Sequence, residues 1–251
     1  MTFRVVSACC LLTIFAASLA SGAGVNLSWN DCSAAGLMNM NFACNSYTGS
    51  SILVASFGPP DGITKLVGAS AVIDIQTDST PMPSWWQMSA GGCRRAGSLR
   101  LDFIASPQSC TDYWSAIATR SFAYLAGFGG HPNRARITIS VGIPEALAGP
   151  VEDGTEYHAF RLIMDNARTV SSESCSGCTV PTCLILNSLW LYQPPGLGDH
   201  RICGPLDSNM ANWRSASFCP PVDSPPPWWP LDCLTTPTLR RSWGLIKGLS
   251  R

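Results

Sequence analysis

Tyr157-His158-Ala159-Phe160-Arg161-Leu162-Ile163-Met164 alternates with a period of two, the pattern of a chain in extended conformation. Successive side chains of a strand point to opposite faces, so Tyr157, Ala159, Arg161 and Ile163 share one side. His158, Phe160, Leu162 and Met164 share the other. Ala71-Val72-Ile73-Asp74-Ile75-Gln76 repeats the period, and Cys183 to Leu191 is apolar on both faces for half its length, as a central sandwich strand is. Working outward, short runs of the same kind are bounded by Gly, Pro, Asn and Asp. They predict strands at Val25–Trp29, Ser51–Phe57, Ala69–Gln76, Ser84–Met88, Ser98–Ala105, Arg134–Gly142, Glu156–Asn166 and Cys183–Tyr192. One stretch, Thr111–Tyr124, is predicted helical, with Cys110-Thr111-Asp112 as its cap. The expected fold is all-β: a two-sheet antiparallel sandwich or jelly roll of about eight strands, with a Pro-rich, disulfide-pinned C-terminal extension.

The termini are of a different texture. Arg4 precedes an apolar run, Val5–Ala20, and the small residues Ser21-Gly22-Ala23 follow, which predicts a secretory signal peptide over 1–23. The run is shorter than the ~20 residues a membrane span needs, so an uncleaved anchor is the lesser reading and no span remains after cleavage. Residues 24–193 are assigned to the sandwich. From 194 to 237 lie ten of the nineteen prolines, and proline lacks the N–H that an interior strand donates. This stretch is predicted to wrap the domain and hold no interior strand. Residues 238–251 form a basic tail with Trp243, Ile246 and Leu249 on one side, an expected address or attachment element.

Of twelve cysteines, Cys9 and Cys10 leave with the signal peptide, and an even ten remain (12 − 2). In an exported chain they predict a disulfide framework. Loop lengths suggest Cys32 with Cys44, Cys93 with Cys110 and Cys219 with Cys233, leaving Cys175, Cys178, Cys183 and Cys203 to pair among themselves. Cys175-Ser176-Gly177-Cys178 has the spacing of a dithiol redox centre, and the last four cysteines number enough for zinc, but an oxidising compartment favours bridges. No metal or other cofactor is expected.

Charged residues are 13% of the chain, about half the usual share, and the formal net charge is zero. No basic field exists to recruit nucleic acid. His131, His158 and His200 sit in a loop, a strand and the Pro-rich stretch, with no G-x-S-x-G elbow and no H-E-x-x-H pair beside them. Glu152, Asp153 and Glu156 cluster before a strand, while Asp74, Asp78, Asp102, Asp112 and Asp165 are scattered. They suit a Ca²⁺ loop or a glycosidase pair no better than a solvated turn. No catalytic residue is assigned. Tryptophan is the more telling signal: nine in all, with adjacent pairs Trp85-Trp86 and Trp228-Trp229 as candidate binding residues for stacking on a sugar or anchoring a protein. On a strand, one of Trp85 and Trp86 faces outward.

Val25-Asn26-Leu27-Ser28-Trp29-Asn30-Asp31-Cys32, Trp85-Trp86-Gln87, Gly92-Cys93-Arg94, Gly154-Thr155-Glu156-Tyr157, Cys175-Ser176-Gly177-Cys178 and Ser242-Trp243-Gly244-Leu245-Ile246-Lys247 together resemble a group of small secreted bacterial proteins of uncharacterised activity. Those proteins end in a short Trp-Gly-x-x-Lys tail. The resemblance spans most of the mature chain and implies a bacterial, extracytoplasmic setting, with no site residue to carry over. The expected function is a secreted or cell-surface, non-catalytic binding or structural module, its partner a cell-surface glycan or an envelope protein. The alternative is an extracellular hydrolase.

Overall fold

Two β-sheets stack face to face in the computed structural model, which describes residues 22–105, 108–114 and 117–215. The strands are β1 (Gly24–Trp29), β2 (Asn39–Met40), β3 (Ser50–Gly58), β4 (Gly68–Thr77), β5 (Leu99–Asp102), β6 (Thr119–Ala126), β7 (Arg134–Gly142), β8 (Tyr157–Asp165), β9 (Thr182–Tyr192), β10 (His200–Ile202) and β11 (Met210–Trp213). One sheet has four strands in the order β1-β3-β8-β5; the other has seven, ordered β2-β11-β9-β4-β7-β6, with β10 also paired to β9. Every pairing is antiparallel except β2 with β11. The all-β sandwich is therefore present, and among the described residues the helical segments are short 3-10 turns.

Alternation drives the stacking. Val25, Leu27 and Trp29 of β1 and Leu53, Ala55 and Phe57 of β3 face Ile73 and Ile75 of β4 and Ile137 and Ile139 of β7 across one apolar core. Each fully buried aliphatic side chain contributes about 1.5–3 kcal/mol. The deciding stretch on β8 departs from strict alternation. Ala55 pairs with Phe160 but Ser56 with His158, so Ala159 is an extra residue in a bulge. The bulge turns Tyr157 onto the core side with Phe160, Leu162 and Met164, and leaves His158 outside that cluster. The expected sharing of a face by His158 and Phe160 is corrected accordingly.

Other expectations change as well. Ser84–Met88 is not a strand: Ser84–Trp86 is a 3-10 turn entered from Pro83. Thr111–Tyr124 is not a helix, since Thr119 onward is β6, paired to β7 through a hairpin with left-handed Gly127, Gly129 and Gly130. Nor does the sandwich stop at 193. The β11 strand lies between β2 and β9, inside the sheet, because the prolines bracket Met210–Trp213 without entering it.

The eight described cysteines are all disulfide-bonded, and the pairings suggested for them are not the ones formed. Cys32 bonds Cys110, Cys44 bonds Cys178 and Cys93 bonds Cys175, closing separations of 78, 134 and 82 residues. Loops of that length are worth about 4–5 kcal/mol each in the chain-entropy account. Cys183 and Cys203 are disulfide-bonded too. Cys219, Cys233, the signal peptide and the tail lie outside the described residues.

Candidate functional site

Trp85 and Trp86 were candidates for an exposed aromatic platform, and the structure buries both completely. A 3-10 turn does not send neighbours to opposite faces as a strand does, so both rings enter the core, 5.0 Å apart and edge to face. Trp213 from β11 sits 5.1 Å from Trp85 and 5.7 Å from Trp86, and Trp29 from β1 closes the group at 5.7 Å. The indole N–H of Trp85 donates to Thr169 Oγ1, that of Trp29 to the Asn212 carbonyl and that of Trp213 to the Cys178 carbonyl. The four rings tie both sheets and the Cys44–Cys178 bridge together at one end of the sandwich. They hold structure and offer no face to a ligand. Trp228 and Trp229 lie outside the described residues.

Arg94 reaches into the same cluster. Its guanidinium lies 4.0 Å over the Trp85 ring, donates to the carbonyls of Trp85 and Asp165, and stands 3.6 Å from the Asp165 carboxylate. Burial pulls its pKa down to about 10, and the Asp165 charge keeps it from falling further, so it stays a cation at neutral pH. Tyr124 of β6 donates to the Trp86 carbonyl. Burial pushes its phenol well above the usual range, and it remains protonated.

The groups with chemistry do not converge. His131 is exposed in the β6–β7 loop, His200 is half-buried on β10, and His158 is fully buried on β8. Ser56 stands opposite His158 in register, yet its hydroxyl donates to Glu156, which Asn26 also supports. No nucleophile–base pair forms there. Asp74 is held in a two-point ion pair by Arg136 and by the Asn187 amide, and Asp102 by Arg161. Burial lifts the Asp102 carboxyl, but the Arg161 bond and charge and the Ile104 and Phe103 N–H groups outweigh it and leave it lowered. Glu152 and Asp153 are exposed in the turn before β8. The two cysteines of Cys175-Ser176-Gly177-Cys178 are bonded to different partners, which removes both the dithiol and the zinc readings. Among the described residues, no group of three or more His, Cys, Asp or Glu is placed to hold a metal ion. A cavity of about 110 Å³ beside Asp74, Phe128, Gly129, His131 and Arg134 is smaller than the ~300–1,000 Å³ of a ligand pocket. Arg136, stacked 3.5 Å over the Phe128 ring, closes off its charge.

His158 makes a pH prediction. Burial lowers its pKa to about 4 from 6.5, with Asp112 and Asp102 opposing and Arg161 assisting, and neither ring nitrogen has a hydrogen-bond partner. The unfolded chain therefore binds a proton that the folded chain refuses. Stability is whole above pH 6.5 and falls as pH drops toward 4, by up to about 3 kcal/mol. Urea unfolding at pH 7.5 and 4.5 should show this loss in the wild type and a smaller one in His158→Phe. Equal losses in the two proteins would contradict it.

What the sequence reading missed is β6. Seven of its eight residues are exposed, including Phe122 at 37% and Leu125 at 58%. Gly127 N–H donates to Arg134 and Ile143 N–H to Val67, which sets the ladder: Thr119, Ser121, Ala123 and Leu125 bond to β7. The backbone groups of Arg120, Phe122, Tyr124 and Ala126 point to the open edge, where none of the described residues pairs with them. Proline and a bulge, two of the usual guards of an edge, are missing from it, and its one charged residue is Arg120.

No family model matches the chain, and no curated protein matches it. Among solved structures it is similar to the cohesin module from the Clostridium perfringens ATCC13124 family 33 glycoside hydrolase, at 11% identity over 76% of this chain and 93% of that one, with a TM-score of 0.30. At that identity and score the likeness says nothing of function.

Proposed function

We propose that this chain is a secreted or cell-surface, non-catalytic binding or structural module that engages a protein partner along β6. The disulfides fit an extracytoplasmic setting, as does the apolar N-terminal run followed by small residues. The observation that carries the reading is the open edge itself. Four residues present N–H and C=O groups that no described residue pairs with, beside exposed Phe122 and Leu125, the arrangement by which a sheet accepts an added strand. A glycan platform at Trp85 and Trp86 is ruled out by their burial.

Phe122 allows a selective test. Its N–H faces the open edge, so Phe122→Pro removes a donor that β7 does not use. Photo-crosslinking from position 121 in producing cells should give a discrete protein adduct, absent in Phe122→Pro, while the melting temperature moves only a few degrees. An adduct that survives Phe122→Pro would place the contact elsewhere. Turnover of an ester, glycoside or peptide substrate, abolished by one His or carboxylate substitution, would replace the reading with the hydrolase alternative.

A further inference from the structure

We propose that the partner taken by β6 is the β6 of a second copy of this chain, paired antiparallel about a two-fold axis at Ala123; this rests on the reading of β6 as a docking edge. The other edges are closed or short. The outer side of β1 is occupied, with Val25 N–H donating to the Gly204 carbonyl, Leu27 N–H to that of Ser208 and Trp29 N–H to that of Leu37. The strands β5, β2 and β10 have four, two and three residues, against eight in β6. Among the described residues, the long open edge that a second copy presents is therefore β6 itself. A strand that pairs with its own copy closes as a symmetric dimer.

The open groups are placed for such a pairing. They belong to Arg120, Phe122, Tyr124 and Ala126, disposed evenly about Ala123. An antiparallel copy with Ala123 facing Ala123 puts Phe122 opposite Tyr124 and Arg120 opposite Ala126, each a hydrogen-bonded pair. Every open N–H and C=O of both copies then finds a partner. Moving the axis to Phe122 or Tyr124 carries Ala126 or Arg120 past the end of the other strand.

The side chains agree with the same register. Phe122 and Tyr124 lie opposite Ile139 and Ile137 of the core, so both take the inward side, and the dimer sets Phe122 of each copy beside Tyr124 of the other. On the outer side, exposed Leu125 of one copy meets Ser121 of the other. At the axis, where facing Cα atoms of a non-hydrogen-bonded pair come within about 4.5 Å, two small alanines meet. The one charge of the strand, Arg120, falls opposite Ala126 and about 20 Å from its own counterpart, so like charges are kept apart. Arg120 also stands 3.8 Å from Asp102 of its own chain, which leaves β6 no unanswered charge to select a partner of opposite sign. A formal net charge of zero puts no long-range repulsion between copies.

Sedimentation velocity of the purified mature chain should give a dimer, and Phe122→Pro a monomer that melts within a few degrees of the wild type. Mild oxidation should link Ala123→Cys to itself across the axis, where the Cα separation suits a disulfide. Ser121→Cys and Leu125→Cys should link only when the two proteins are mixed, since each lies roughly 14 Å from its own counterpart. A monomeric wild type would overturn the proposal, as would Ser121→Cys linking to itself as readily as Ala123→Cys. The adduct formed from position 121 in producing cells separates this proposal from the docking edge it rests on. Peptides of this chain alone support the second copy. Another protein, lost in Phe122→Pro, keeps β6 as a docking edge and rejects the copy, and the absence of any adduct rejects both.

Discussion

Trp213→Ala is expected to lower the unfolding free energy by about 3–5 kcal/mol, the cost of emptying a large aromatic site in a packed core. Trp213 is fully buried, contacts the rings of Trp29, Phe42, Trp85 and Trp86, and donates its indole N–H to the Cys178 carbonyl. All four neighbours come from other segments of the chain: Trp29 from β1, Phe42 from the stretch after β2, and the Trp85-Trp86 pair from the turn after Pro83. The cavity therefore opens where both sheets meet, and it cannot close by the shift of a single loop. Trp213→Phe keeps part of the volume and is expected to cost less. Urea unfolding with the disulfides intact measures both. A loss under about 1 kcal/mol for Trp213→Ala would show that the four-ring cluster does not hold the sheets together.

A loss of about 1–3 kcal/mol is expected for Arg94→Ala, because a buried carbonyl is left without its donor. The Arg94 side chain is wholly buried, while its partner Asp165 is 30% exposed. Removal leaves the Trp85 carbonyl without its guanidinium donor and strips the cation from the Trp85 face. Arg94→Lys is not a conservative rescue, because an ammonium cannot stack as a plane or donate to two carbonyls set apart. Arg94→Met should recover part of the loss: it refills the volume and removes an Nε that has no partner in the fold. If Met proves as costly as Ala, the charge of Arg94, and not its packing, is what the fold requires.

Legibility in the sequence followed burial geometry. Where a strand has one face in the core, hydrogen-bonding neighbours on both sides and no bulge, alternation holds, and Arg134–Gly142 was readable to the residue. The β6 strand lacks the first two conditions. It lies at an edge where every residue but Tyr124 is exposed, so little burial constrains its pattern, and Thr111–Tyr124 read as a helix. The β10 and β11 strands are three and four residues long, too short to show a period. Trp85 and Trp86 were visible as a pair, but whether neighbours part or stay together depends on strand against turn, and Pro81 and Pro83 were the unused signal for a turn. His158 was found as a residue and placed on the wrong face, since nothing in the local pattern marks the one-residue bulge at Ala159.

The all-β class and the disulfide framework were determined by the sequence alone, because each depends on local quantities: side-chain period and cysteine parity. The alternating runs also marked most of the central strands. Tertiary structure decided everything that depends on which distant segments meet. Cys44 finds Cys178 across 134 residues because β2, β11 and β9 are neighbours in one sheet, and no loop length announces that. Trp213 joins Trp85 and Trp86 for the same reason, so a candidate ligand platform is core. The open edge of β6 exists only because the sheet order ends there, and an edge is a property of strand order, which a single strand's residues do not carry.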